Sequence, residues 1–385
     1  MSRATDKPVR ILHVLQRMEA GGTQALLMNM YRRIDRTKLQ FDFLVEYPDR
    51  QFYDDEIEQL GGHIYHTNVR NNANILAFTG VLRRLIGEYG YRIVHMHTYS
   101  IGYFCLREAE RCGVPVRIAH SHNNQTTKGL LYVPKLIMQK LYTIHANRFM
   151  ACSEDAGRYL FGDRRFMVVK NAIDVDSFRY SDSTRCEARA ELGIPDDDFV
   201  VGNVGRLCEQ KNQLFLLGVV RKLKASVPSA RLLIVGSGPL KEEILSCARR
   251  LGIDDSVMIL ENRHDMTKIY QAMDVFAFPS LFEGLGIAAI EAQAAGLPTL
   301  CSDGVAEDAD ASPSFHRLPA NATEDDWEKA ISNIACRGDA CDAGSRSARS
   351  LSSSGYVREA GFDAAENAKA MERWYLDQLG VGNWG

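Results

Sequence analysis

The sequence predicts an α/β protein made of two doubly wound domains, and three observations point that way. The chain is 385 residues long, which favours two domains over one. In both halves short β-rich apolar runs alternate with amphipathic stretches of helical period, the pattern of parallel sheets covered on both faces. Around Asn171–Asp198 charge, Ser and Pro replace apolar residues, which marks the joint. The expected division is residues 1–172, residues 173–360 and a terminal helical segment over 361–385.

Val9–Leu15 (VRILHVL) reads as the first strand, after which Gly21, Gly22 and Thr23 open a helix carrying Ala25, Leu26, Met28 and Met30. Phe41–Val45, Ile93–Met96, Val116–His120 and Phe149–Cys152 are further strands, with helices over Ile75–Glu88 and Pro134–Ala146. In the second half Phe199–Val204, Leu232–Val235, Val257–Leu260 and Val275–Phe278 read as buried strands, each followed by a helix. Gly338–Gly355, rich in Ser, Gly and Arg, reads as a loose surface segment. Asp363-Ala-Ala-Glu366 then has the spacing of a capping box and opens a helix through Ala368, Met371, Trp374 and Leu379.

Composition narrows the class. At 45% hydrophobic and 25% charged residues the chain is neither disordered, collagenous nor coiled coil. No stretch approaches 18 apolar residues, and Met1–Arg10 lacks the apolar run of a secretory signal. The nine cysteines show no framework spacing; only Cys336 and Cys341 lie close, without a second pair, so reduced thiols in a cytoplasmic protein are expected. The net charge of −3 hides an asymmetry: residues 1–170 hold 24 Lys and Arg against 16 Asp and Glu (+8), the remainder 22 against 33 (−11). A basic half suits an anionic membrane surface, an anionic acceptor or nucleic acid, although no nucleic-acid motif appears. Lys128–Phe149 combines apolar and basic residues and fits either an interfacial helix or a core helix with snorkelling lysines.

In open parallel sheets ligands bind at the carboxyl ends of the strands, so with two such domains the cleft between them is the expected site. Gly21 and Gly22 sit at such an end, either to let backbone N–H groups approach a phosphate or simply to make a tight turn. Gly205–Lys211 (GRLCEQK) follows a strand; Arg206 and Lys211 there either neutralise a diphosphate or form a solvated basic pair. The run Phe278–Gly286 ends a strand, placing Glu283 in the turn with Gly284, Leu285 and Gly286. Glu291 follows eight positions on, expected about two turns down a helix of small residues. Carboxylates so placed are good acceptors for the vicinal hydroxyls of a sugar or ribose. His95 and His97 share one face of a strand end, but with no third ligand in view no metal site is expected. Asp174-Val175-Asp176 resembles a metal-binding DxD yet sits in the joint, and is read as structural.

Taken in order, Gly205–Lys211, Gly236-Ser237-Gly238-Pro239, Asp274–Glu291 (DVFAFPSLFEGLGIAAIE) and Gly296-Leu297-Pro298 resemble the family 4 retaining glycosyltransferases of GT-B fold. Gly21-Gly22, His120-Ser121-His122-Asn123 and Asn171–Phe178 (NAIDVDSF) extend the resemblance over nearly the whole chain. The wording looks most like enzymes of bacterial capsule, exopolysaccharide and O-antigen assembly. The resemblance implies two Rossmann-like domains facing across a cleft, the first for the acceptor and the second for a nucleotide-sugar donor. It also implies a C-terminal helix crossing back to the first domain.

By position, the resemblance implies that Arg206 and Lys211 hold the donor diphosphate and that Glu283, with Gly284, Leu285 and Gly286, contacts the donor sugar. It implies Glu291 for the ribose, the Gly21–Gly22 amides for the β-phosphate, Arg263 for the base and His120 near the transferred sugar. His120, Arg206, Lys211 and Glu283 form the implied catalytic set. The expected activity is that of a hexosyltransferase using a UDP-sugar, with GDP left open, and a saccharide or lipid-linked saccharide acceptor. No cofactor, divalent metal or nucleic acid is expected. Peripheral contact of the basic half with the inner face of the cytoplasmic membrane stays open. The alternatives are a nucleotide-sugar epimerase of the same fold, which would need no acceptor, and a non-catalytic scaffold of polysaccharide assembly.

Overall fold

The computed structural model describes residues 7–19, 21–99, 101–122, 132–261, 263, 265–336 and 343–380. Asn123 of the HSHN motif, residues 128–131 of the basic apolar stretch and residues 338–342 of the Ser/Gly-rich segment lie outside them. The chain divides into two units, Met1–Ala172 with Ala364–Gly385, and Ile173–Asp363.

In the first unit β1 (Val9–Leu15), β2 (Leu39–Val45), β3 (Ile64–His66), β4 (Ile93–Met96), β5 (Val116–Ser121), β6 (Arg148–Ala151) and β7 (Met167–Val168) form one parallel sheet. Its order is β3-β2-β1-β4-β5-β6-β7. Both faces of β1 are buried, which is why it reads as a nearly unbroken apolar run. Ile11 and Leu15 face a core shared with Phe41, Phe43 and Ile93, closed by the helix Gly22–Tyr31 and by Ala368, Met371, Tyr375 and Leu376 of the terminal helix Ala364–Gln378. Leu12 and Val14 face the opposite core with Phe78, Leu82, Cys105, Leu106 and Tyr142. The C-terminal helix therefore packs within the first unit, sequence-distant though it is.

The second unit repeats the plan with β8 (Phe199–Val204), β9 (Ala230–Val235), β10 (Val257–Leu260), β11 (Val275–Phe278), β12 (Thr299–Ser302) and β13 (Phe315–Leu318), in the order β10-β9-β8-β11-β12-β13. Helices Gln213–Leu223, Lys241–Leu251, Met266–Ala272 and Ile287–Ala294 follow the first four strands. In each sheet the strand order reverses beside the first strand, between β1 and β4 and between β8 and β11. Such a reversal opens a crevice at the carboxyl ends. The short strands β3, β7, β12 and β13 carry too few residues for a period to show in the sequence.

The joint expected around 171–198 falls at its start, between Ala172 and Ile173. Beyond it the stretch is structured: Ile173, Val175, Phe178, Ala188 and Ile194 join the core of the second unit, and Asp182–Leu192 is a helix. Two of its charges, Arg185 and Arg189, are buried. Arg185 and Arg189 each donate to a carboxylate oxygen of the buried Asp274 at 2.6 Å, and the Val200 N–H donates to it at 2.7 Å.

The segment 338–355 is not loose where it is described, because Ala343–Glu359 is helical. Ser350, Ser353, Ser354 and Arg346 on it are buried. Arg346 donates to the carbonyls of Met273 at 2.6 Å and Tyr270 at 2.8 Å, and Ser350 Oγ to that of Ala294 at 2.9 Å. Burial, then the neighbouring Arg185 charge, lowers the Arg346 guanidinium to about 9. Small polar side chains that bond backbone carbonyls let this helix approach closely; a Cβ on Gly296 would lie 2.8 Å from the Arg346 carbonyl oxygen.

Within the basic stretch the helix spans Tyr132–Tyr142, shorter than expected; Tyr142 is fully buried, whereas Ile137 and Ile144 are exposed. Among the described residues no helix is long and apolar enough to cross a membrane.

Asp274→Ala leaves two buried guanidiniums without their carboxylate, an expected loss of about 3–5 kcal/mol. In calorimetry of the full chain a transition assigned to the second unit should then move to lower temperature. An unshifted profile would contradict the role given to this cluster.

Candidate active site

At the carboxyl edge of the second sheet two loops are tied together. The loop after β8 carries Arg206 and Lys211, and the loop after β11 carries Glu283. The Leu281 N–H donates to the Gln210 carbonyl at 2.8 Å, and Gln210 Nε2 returns a bond to the Phe282 carbonyl at 2.8 Å. Lys211 Nζ meets Glu283 Oε1 at 2.6 Å and lies 4.6 Å from the centroid of the Phe278 ring. Both side chains are largely buried, so the ammonium and the carboxylate are held in place before any ligand arrives. Arg206 is exposed, and among the described residues no acceptor meets its guanidinium. Its carbonyl accepts from Gln213 Nε2 at 3.0 Å, which anchors the backbone beneath it. Next to this loop only glycine fits at position 236, where a Cβ would lie 2.1 Å from the Gly205 carbonyl oxygen.

Gly286 takes φ +80 and starts the helix Ile287–Ala294. Glu291 is thus the fifth helical residue, little more than one turn in, and not two turns as expected from the sequence; Glu283 lies ahead of the helix. Gly284 is partly exposed, but the Leu285 side chain belongs to the core, so only its backbone is free to face a ligand. Glu291 is half-buried and accepts from Tyr270 Oη at 2.8 Å. Burial pushes its carboxyl up to about 7, against the opposing pull of that hydrogen bond. Arg263 makes a two-pronged ion pair with Asp265 in its own loop, its Nε at 2.8 Å from Oδ1.

In the first unit Gly21, in extended backbone, caps the ten-residue helix Gly22–Tyr31, and both glycines are exposed. His120 is buried on β5; its N–H donates to Tyr142 Oη at 3.0 Å and its Nδ1 meets His95 Nε2 at 3.0 Å. The expectation that His95 and His97 lack further ligand partners is overturned. His13 Nδ1 lies 3.0 Å from His97 Nε2, and His122 Nε2 lies 2.9 Å from His97 Nδ1. Sequence reading missed His13 and His122. The repeated His-x-His spacing at 95–97 and 120–122 was the available signal, but only the register of β1, β4 and β5 joins the two. Asp174 and Asp176 lie in and beside a one-turn helix, Val175–Phe178, where Asp176 pairs with Arg358 at 2.5 Å, a structural contact as expected.

The site can be set beside known proteins. The family described as "Glycosyltransferase Family 4" matches residues 20–177, and "Glycosyl transferases group 1" matches residues 184–308. The chain is 35% identical over 377 residues to EpsF of Bacillus subtilis (strain 168), whose name describes it as a glycosyltransferase, covering 95% of this chain and 96% of EpsF. This chain belongs to the family 4 glycosyltransferases.

An Escherichia coli enzyme named UDP-Gal:alpha-D-GlcNAc-diphosphoundecaprenol alpha-1,3-galactosyltransferase is 25% identical over 318 residues, 78% of this chain and 81% of its own length. Among solved structures, Anabaena HepE in complex with UDP and glucose superposes with a TM-score of 0.79 at 17% identity, over 95% of this chain and 99% of that one. The fold of this glycosyltransferase is accordingly GT-B, two Rossmann-like α/β domains.

Glu291 contributes its own pH dependence to the stability of the transferase. Because its folded pKa of about 7 lies above the ordinary 4.5, the folded state holds more protons than the unfolded state between these values. Stability contributed by this group is therefore lost as pH rises from 4.5 to 7, and is level above that. Glu291→Gln should remove this slope, its advantage over wild type growing to about 3 kcal/mol above the folded pKa. Denaturant unfolding across this range checks it; parallel curves for the two proteins would contradict it.

Proposed function

We propose that this glycosyltransferase is a retaining hexosyltransferase that moves a sugar from a UDP-sugar to a saccharide or lipid-linked saccharide in the assembly of a bacterial surface polysaccharide. The observation that carries the reading is the pairing of an exposed, unpartnered Arg206 with a prearranged Lys211–Glu283 ion pair at one strand edge. A nucleoside diphosphate leaving group gathers negative charge as the glycosidic bond breaks, and two cations at that edge, Lys211 held in place and Arg206 free to reach the ligand, lower the cost of that charge. In this reading they supply the charge that a divalent ion supplies elsewhere, so transfer needs no metal at the diphosphate. Glu283 receives the sugar hydroxyls, Glu291 the ribose, and Arg263 lies toward the base. UDP as donor nucleotide is supported by the names of the relatives, one a UDP-Gal transferase and one a structure with UDP and glucose.

Glu283 is held by Lys211, and no other carboxylate is assigned to the far face of the sugar, so the reaction is written as front-face substitution. The bond from the anomeric carbon to the phosphate oxygen breaks while the acceptor oxygen bonds the same face. The acceptor proton passes to the departing phosphate oxygen. The +8 charge of residues 1–170 fits an anionic, diphosphate-linked acceptor and the inner leaflet that would hold it.

With a UDP-sugar and a lipid-linked saccharide acceptor, Arg206→Ala should lower kcat on the order of 100–1,000-fold. A chelator should leave the wild-type rate unchanged, and the product should keep the anomeric configuration of the donor by NMR. An inverted product, or a rate abolished by the chelator and restored by Mg²⁺, would overturn the reading.

A further inference from the structure

Five histidines converge on one face of the first sheet. His13 on β1 stands opposite His95 on β4, and His95 stands opposite Ile118 on β5. Because side chains alternate along a strand, His97, His120 and His122 fall on this same face at its carboxyl edge. The rings stack at centroid distances of 4.1 Å for His95–His97 and 4.0 Å for His120–His122, and those of His97 and His122 lie tilted at 5.1 Å. His13, His95, His97 and His120 are buried, and His122 is half-buried at the rim.

The hydrogen bonding among neutral rings does not close. Each neutral imidazole has one N–H and one lone pair. In the line His13–His97–His122, whichever way the protons point, one end keeps an unused N–H and the other an unused lone pair. His13 Nε2 and His122 Nδ1 are those ends, and both are buried without a partner, as is His120 Nε2. An unsatisfied buried polar atom costs about 1–3 kcal/mol, and a cation taken up by His120 Nε2 would relieve one of the three. Burial, the largest effect on each ring, lowers the pKa of all five, so their lone pairs are free near neutral pH.

We propose that His97, His120 and His122 form a binding site for a first-row transition-metal cation of the zinc class. One ring nitrogen of each lies within 4.8 Å of one from each of the others, near enough for small ring rotations to bring them around one ion. The donors are His97 Nδ1 and His122 Nε2, which face each other, and His120 Nε2, which has no hydrogen-bond partner. Metal on those atoms fixes the proton on the opposite nitrogen of each ring, and two of those N–H groups already have acceptors. His97 Nε2–H meets His13 Nδ1, and His120 Nδ1–H meets His95 Nε2, whose own Nδ1 meets Tyr375 Oη at 2.7 Å. Such outer partners orient ligating histidines in metal sites. Three imidazoles and no carboxylate select Zn²⁺, Co²⁺, Ni²⁺ or Cu²⁺ over Mg²⁺ and Ca²⁺. The site departs from the expectation of a chain without metal, and it would take the one unpartnered ring nitrogen of His120, the residue expected beside the transferred sugar.

The test uses the full chain stripped with EDTA and titrated with Co²⁺ and, by calorimetry, with Zn²⁺. One equivalent should bind, with visible d–d bands of a nitrogen-ligated ion and no sulfur charge-transfer band, and Zn²⁺ should raise the melting temperature. His97→Gln and the rim variant His122→Gln should each lose more affinity than the roughly 10–100-fold typical of a supporting group. Circular dichroism confirms that the variants fold, and His122→Gln keeps the test alive if His97→Gln does not. Absence of one-equivalent binding in wild type, a sulfur band, or unchanged affinity in folded variants would overturn the site.

Discussion

Every strand pair in both sheets is parallel, and the placement of chemistry in this protein descends from that constraint. Parallel strands need a crossover between each pair, so helices cover both faces and the strands become largely apolar. All carboxyl ends then lie along one edge of each sheet, and the loops there are the ones free to carry polar groups. In the second unit that edge gathers Arg206, Lys211, Gly236 and Glu283; in the first it gathers Gly21, His97, His120 and His122. The strand reversals beside β1 and β8 decide which of these loops become neighbours.

Register has to be fixed at the far end for the near end to be exact enough for chemistry. Asp274 does this in the second unit. It precedes β11, accepts from the Val200 N–H on β8, and is clamped by Arg185 and Arg189. With that pairing set, Val275 lies opposite Val201, and the loops leaving β8 and β11 emerge side by side. The Lys211–Glu283 pair and the backbone bonds of Gln210 then join those loops. A buried ion cluster at one edge and a largely buried ion pair at the other bracket the same two strands. The first sets position, and the second offers charge to a ligand.

Much of this was legible in the sequence where the signal is local. β1, β4, β8, β10 and β11 have the ends that their apolar runs indicate, and the Gly- and Glu-bearing loops sit directly after them. The family resemblance follows from the same local motifs. What the sequence hid is what depends on distant pairing. The burial of Arg185, Arg189 and Arg346 was not legible because Asp274 and the carbonyls that receive them lie far away in the chain. The Ser-rich helix Ala343–Glu359 read as loose because its serines are satisfied by a neighbouring helix. His13 and His122 were not grouped with His95 and His97 because only strand register brings them to His97. Glu291 was assigned correctly to a helix, but the αL start at Gly286 placed it one turn nearer the loop than spacing alone suggested.

The account turns on whether the edge bearing Arg206, Lys211 and Glu283 receives a nucleoside diphosphate. The most direct measurement is the thermal shift of wild type and Arg206→Ala with UDP, GDP, ADP and dTDP, each with and without EDTA. A ligand at 100 times its Kd adds about 2.7 kcal/mol of stability. The account predicts that UDP alone stabilises wild type to about this extent, that EDTA does not alter the shift, and that Arg206→Ala largely loses it. Equal shifts in wild type and Arg206→Ala, or no shift with any nucleotide, would contradict it.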